Sequence, residues 1–230
     1  MHTKKGFQKK IEKIIKDKYS NWEEKSIIID KWMKEEENSE EYFIDLVLKH
    51  RNPKIRKGVA SILFYLDYPV IAEQLVGRIL IEPDWTVRYA LSKACTNHLG
   101  KNAVENLNQF YYQLLAQSDD NRKYQLRKIF AENLGIMGLK EGIPNLVLQL
   151  KEVGNHRDKY SVELIMQILY SLGEIGDKSA INLLLKYSAK NVYSTEGIIN
   201  SALHAIDKIA KRLGFSSKKA LLEDINRNQN

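Results

Sequence analysis

Apolar residues recur along this chain at helical spacing, not in strict alternation. Val87, Ala90, Leu91 and Ala94 fall on one face of a helix, as do Leu126, Ile129, Phe130 and Leu134. Both runs overlap a recurring motif. Asn52-Pro53-Lys54-Ile55-Arg56, Asp84-Trp85-Thr86-Val87-Arg88 and Lys123-Tyr124-Gln125-Leu126-Arg127 each set a branched apolar residue directly before an arginine. Seven residues after each arginine comes Leu63, Cys95 or Leu134. Two later segments keep the apolar pattern without the arginine. Leu164 to Gly173 aligns with Leu126 to Gly135, and Ile198 to Ile206 aligns with it as well, so that Ile165 and Ile199 take the arginine register.

A second register has the same period. Gly138, Gly176 and, one residue closer, Gly100 each precede a turn into a new apolar stretch beginning near Ala103, Gly142 or Ala180. Glycine suits the left-handed residue that ends a helix. Pro144 suits the first turn of the next helix, where a missing N–H costs nothing. The unit is therefore helix, short turn, helix, with a period of roughly 32 to 39 residues. These registers predict an all-α chain: a right-handed α-solenoid of about five helical pairs over residues 40–213. Residues 1–39 read as N-terminal capping helices and residues 214–230 as a C-terminal cap and tail, all in one domain.

At the N-terminus, Phe7, Ile11, Ile14 and Ile15 make an apolar stripe on a lysine-rich first helix, and Trp22, Ile28, Ile29, Trp32 and Met33 suggest a second. The acidic run Glu35 to Glu41 reads as a loop leading into a helix over Tyr42 to Lys49. Ser216 or Ser217 suits the N-cap of a last helix through Ile225, and Asn226 to Asn230 read as a frayed end.

Composition narrows the function classes. Four prolines and 12 glycines in 230 residues are too few for a strand-rich fold. One cysteine, Cys95, excludes an internal disulfide framework and a multi-cysteine zinc site, and suits a reducing compartment. No apolar run approaches the roughly 20 residues of a membrane span, and the basic start lacks the apolar core of a signal peptide. The expectation is a cytoplasmic protein without membrane contact. A net charge of +7 permits nucleic acid or acidic protein partners without demanding either.

The motif segments resemble HEAT repeats, armadillo-like helical repeats, and especially the short bacterial type found in phycobilisome-lyase-like proteins. Asp84 to Ala90 and Leu172 to Asp177 carry the resemblance best. It implies that Arg56, Arg88 and Arg127 are structural, bonding carbonyls or an aspartate of a neighbouring repeat, and that Asp84 is the ordinary repeat aspartate, a helix cap. It also implies that the helix starting at each arginine motif lines a concave side.

Positions one and five after the motif arginine share an exposed helical face. They read Lys57 and Ser61, Tyr89 and Lys93, Lys128 and Glu132, Met166 and Tyr170, Asn200 and His204. Lysines, tyrosines and a methionine there can form a recognition surface with aromatic anchors, while the same tyrosines can equally cover gaps between repeats.

No catalytic set emerges. The five histidines, His2, His50, His98, His156 and His204, lack metal-ligand spacing. Cys95 occupies an apolar register, and no phosphate loop or serine elbow is present. The expectation is a non-catalytic scaffold or adaptor, without cofactor or metal, holding a protein or peptide on its concave face. The alternatives are a nucleic-acid-binding HEAT-like protein, with or without the base-excision chemistry of HEAT-like DNA glycosylases, whose catalytic residues find no match here, and a bilin lyase or chaperone, for which no tetrapyrrole pocket is marked.

Overall fold

A computed structural model describes residues 4–118, 120–154, 158–189 and 195–227, for residue 120 the backbone alone. Among the described residues there is no strand, and no helix is long and apolar enough to cross a membrane. The chain forms two compact units, Met1–Phe110 and Tyr111–Asn230. The first contains α1 (Lys4–Lys16), α2 (Trp22–Glu35), α3 (Ser39–Lys49), α4 (Pro53–Leu63), α5 (Pro69–Leu75), α6 (Arg78–Ile81) and α7 (Trp85–Leu99). The boundary falls inside α8 (Lys101–Gln117). The second unit adds α9 (Asp120–Met137), α10 (Ile143–Val153), α11 (Lys159–Ile175), α12 (Ile181–Ser188), α13 (Glu196–Arg212) and α14 (Lys218–Arg227).

The arginine motifs lie on α4, α7 and α9, and the two aligned apolar segments on α11 and α13. Local chemistry sets their limits. Asn52 Oδ1 accepts from the Lys54 N–H at 2.9 Å, ahead of Pro53 in the first turn of α4. Asp84 Oδ1 accepts from the N–H groups of Thr86 and Val87 at 2.9 and 3.2 Å, and Asp158 caps α11 in the same way. At the other ends Gly100, Gly138 and Gly176 have φ of 53°, 70° and 75°, a region where a side chain is strained. Ser217 Oγ accepts from Ala220 N–H at 3.2 Å at the start of α14.

Within each unit, consecutive motif helices pack side by side: α4 on α7 in the first, α9 on α11 and α11 on α13 in the second. Their inward faces are closed to solvent, with Ile55, Val59 and Ile62 on α4 and Val87, Leu91 and Ala94 on α7 fully or almost fully buried. Cys95 is buried too. Its thiol approaches the Ala72 carbonyl at 3.5 Å, and burial pushes its pKa up to about 12, so it packs as an unreactive thiol. In the second unit the helices approach closely through small residues, Gly135 against Ser171 and Gly173 against Ala205.

Several local details differ from the sequence reading. The acidic run 35–41 is mostly helical. α2 continues to Glu35, Asn38 turns the chain in the left-handed region with φ of 62°, and α3 starts at Ser39. Ser39 Oγ donates to the Met33 carbonyl at 2.7 Å, and Glu40 and Glu41 sit in the first turn of α3, where the helix dipole favours negative charge. Of the expected stripes, Phe7, Ile11, Ile15, Ile29 and Met33 are buried, Ile14 and Trp32 are partly covered, and Ile28 is exposed. Asn226 lies within α14, while 228–230 fall outside the described residues.

Candidate binding groove

The motif arginines hold the backbone together. Arg56 Nη1 donates to the carbonyls of His50 and Arg51, six and five residues earlier, at 2.8 and 3.3 Å. Arg88 Nη1 repeats this on Glu82 and Pro83 at 2.9 and 3.3 Å. A planar guanidinium can serve both carbonyls of the turn entering its own helix. Arg127 works differently, because α9 starts well before its motif and the residues six and five earlier, Asn121 and Arg122, already lie within the helix. It turns to α10, donating to the Gln149 carbonyl at 3.3 Å and to Glu152 at 2.7 Å.

Sequence reasoning missed the partner of Arg56. Glu82, almost fully buried, accepts from Arg56 Nε and Nη2 at 3.0 and 2.6 Å, from Arg78 Nη2 at 2.9 Å and from the Asp84 N–H at 3.0 Å. Burial pushes its carboxyl pKa up, but the bonds from Arg56, Asp84 and Arg78 outweigh this and hold it below the usual carboxylate value. Glu82 thereby joins α4 to the turn that starts α7.

That α4–α7 pair carries one wall of a groove of ≈ 250 Å³ in the first unit. Four of the residues singled out in the sequence meet there: Lys57 and Ser61 from α4, Tyr89 and Lys93 from α7. Three aromatic residues that the sequence reading did not place in the site join them. Trp22 comes from the start of α2, and Phe64 and Tyr65 from the turn after α4. The turn is built by its neighbours. Asn97 Nδ2 donates to the Phe64 carbonyl at 2.9 Å, and His98 Nε2 meets the Leu63 carbonyl at 2.6 Å, so two carbonyls at the α4 terminus find partners on α7. Leu66 is buried beneath the turn, which leaves Phe64 and Tyr65 37% and 47% exposed, in edge-to-face contact at 5.1 Å.

Trp22 is positioned by a buried lysine. Lys25 Nζ donates to the Asp17 carbonyl at 2.5 Å, just past the end of α1, and lies 4.7 Å from the Trp22 ring centroid. Tyr89 is 45% exposed and meets Trp85 edge-on at 6.1 Å. Among the described residues neither Lys57 nor Lys93 has a carboxylate partner. The groove thus combines an exposed aromatic floor with two uncompensated cations.

The corresponding positions of the second unit are more occupied. Lys128 pairs with Glu163 at 3.1 Å. Glu132 is partly covered, and the Met166 sulfur packs against Gly197, where an added Cβ would lie 3.1 Å from it. Tyr170 and His204 stack in parallel at 6.2 Å, with Lys208 over the tyrosine ring at 5.1 Å and ion-paired to Glu174. The Glu174 hydrogen bond, followed by burial, raises the Tyr170 pKa above its ordinary value. Asn200 is exposed beside them. Tyr170, Lys208 and Glu174 partner one another, with His204 stacked on the tyrosine ring, which is how gap-covering residues behave.

Among the described residues no group of three or more His, Cys, Asp or Glu side chains could hold a metal ion. Of the histidines, His98 braces the α4 turn, His50 lies 3.5 Å from Glu12, and His204 stacks on Tyr170. His2 and His156 fall outside the described residues. No protein-family model matches the chain, and no curated protein matches it.

Proposed function

We propose that this chain is a HEAT-type α-solenoid of about five helical pairs that acts as a non-catalytic adaptor, holding a protein or peptide partner in the groove of its first unit. The observation that carries the reading is the meeting of Lys57, Ser61, Tyr89 and Lys93 with Trp22, Phe64 and Tyr65 in one groove. Exposed aromatics held by neighbouring side chains are the anchors that interfaces use, because they cover much area at little entropic cost. The side-by-side packing of α4 on α7, and of α9, α11 and α13, supports the repeat reading. The single buried cysteine fits a cytoplasmic setting.

The test is affinity capture with the full-length protein from native cells, followed by titration of the recovered partner. Tyr65→Ala combined with Tyr89→Ala is expected to weaken binding by roughly tenfold or more, as truncated interface anchors do. Both side chains are about half exposed, so circular dichroism and melting temperature should stay close to those of the parent. Tyr170→Ala serves as the comparison and should change binding little. Equal affinity of the double variant and the parent would remove the groove from the reading.

A further inference from the structure

We propose that the groove recognises an extended acidic peptide segment, one large apolar side chain lying on the aromatic floor with flanking carboxylates on Lys57 and Lys93. This rests on the groove being a partner-binding site and adds the chemistry of the partner. Lys57 and Lys93 both line the groove, no acidic residue lines it, and neither lysine has a carboxylate partner among the described residues. Two ammonium groups over an apolar floor favour carboxylates and repel a basic segment.

The groove holds ≈ 250 Å³, below the roughly 300–1,000 Å³ of small-molecule and cofactor sites. It has room for one large side chain.

Ring geometry separates a peptide from single-stranded nucleic acid. Base stacking needs open aromatic faces in series along a row of phosphate-binding cations. Here Phe64 is met by Tyr65 at an interplanar angle of 77°, Tyr89 by Trp85 at 70°, and Trp22 already carries Lys25 against its ring. The rings form a faceted floor for an aliphatic or aromatic side chain.

Phage-displayed random short peptides selected on the immobilised full-length protein test this. The enriched peptides should share net negative charge and at least one Leu, Phe or Trp. A synthetic peptide of that consensus should lose roughly tenfold or more in affinity on Lys57→Glu with Lys93→Glu, and a copy with its acids changed to lysine should recover affinity on that variant alone. Enrichment without acidic bias, enrichment that survives the charge reversal, no enrichment over bare matrix, or displacement of the peptide by oligothymidylate would each overturn the proposal. A partner captured from cells that crosslinks at the groove through a basic or uncharged segment would sink the acidic-peptide inference while leaving the adaptor reading intact.

Discussion

Glu82→Ala is expected to lower the unfolding free energy of the first unit by about 3–5 kcal/mol, the cost of stripping one partner from a buried ion cluster. The change removes the acceptor of two Arg56 bonds, two Arg78 bonds and the Asp84 N–H. Arg56 is only 7% exposed and keeps its carbonyl bonds, so an uncompensated guanidinium stays in the core. Chemical denaturation followed by circular dichroism measures the loss.

The sign of the pH dependence follows from the same site. The folded carboxyl titrates below its unfolded value of about 4.5. Its stabilisation is therefore fully present above that value and is lost as pH falls through the lower folded pKa. Glu82→Gln should flatten this acid limb. A single Glu82→Ala loss below 1 kcal/mol would mean that the cluster does not join α4 to α7.

Gly173→Val is expected to cost the second unit about 3 kcal/mol, at the upper end for overpacking. A Cβ at 173 would lie 2.8 Å from Ala205 Cα and 2.9 Å from Ala205 Cβ, backbone and its immediate branch, neither of which can rotate away. Valine gains a few tenths of a kcal/mol in helix propensity over glycine, too little to offset driving α11 and α13 apart. Gly135 meets Ser171 Cα in the same way, at 2.9 Å, so the two contacts are successive instances of one packing rule. Thermal unfolding checks the effect, and an unchanged midpoint would show that the helices separate freely.

Those two glycines were legible as a register, since Leu126 to Gly135 and Leu164 to Gly173 align residue for residue. The motif helices were legible for the same reason: their apolar faces repeat, and aspartate, asparagine or glycine marks most of their ends. The groove was only half legible. Lys57, Ser61, Tyr89 and Lys93 follow from spacing along two helices, but Trp22 reaches the site through the packing of α2 on α4, which no local pattern encodes.

Phe64 and Tyr65 did leave a signal. In the arginine register they stand where α7 carries Thr96 and Asn97 and α9 carries Gly135 and Ile136. An aromatic pair at that point breaks the repeat, and α4 stops just before it. Glu82 left none, because it lies in a turn outside the repeat pattern and its meaning depends on Arg56 coming from a different helix. The acidic run 35–41 misled because charge density alone reads as loop, whereas Glu40 and Glu41 are stabilised in the first turn of α3.

Site-specific photocrosslinking shows whether the groove holds a protein partner. A benzophenone amino acid replaces Tyr65 on the groove in one variant and the 98% exposed Tyr19 in another, each irradiated in native cells. A discrete protein adduct is expected from position 65, absent from position 19 and suppressed by Tyr89→Ala. No adduct from position 65, the same adduct from both positions, or an adduct to nucleic acid would contradict it.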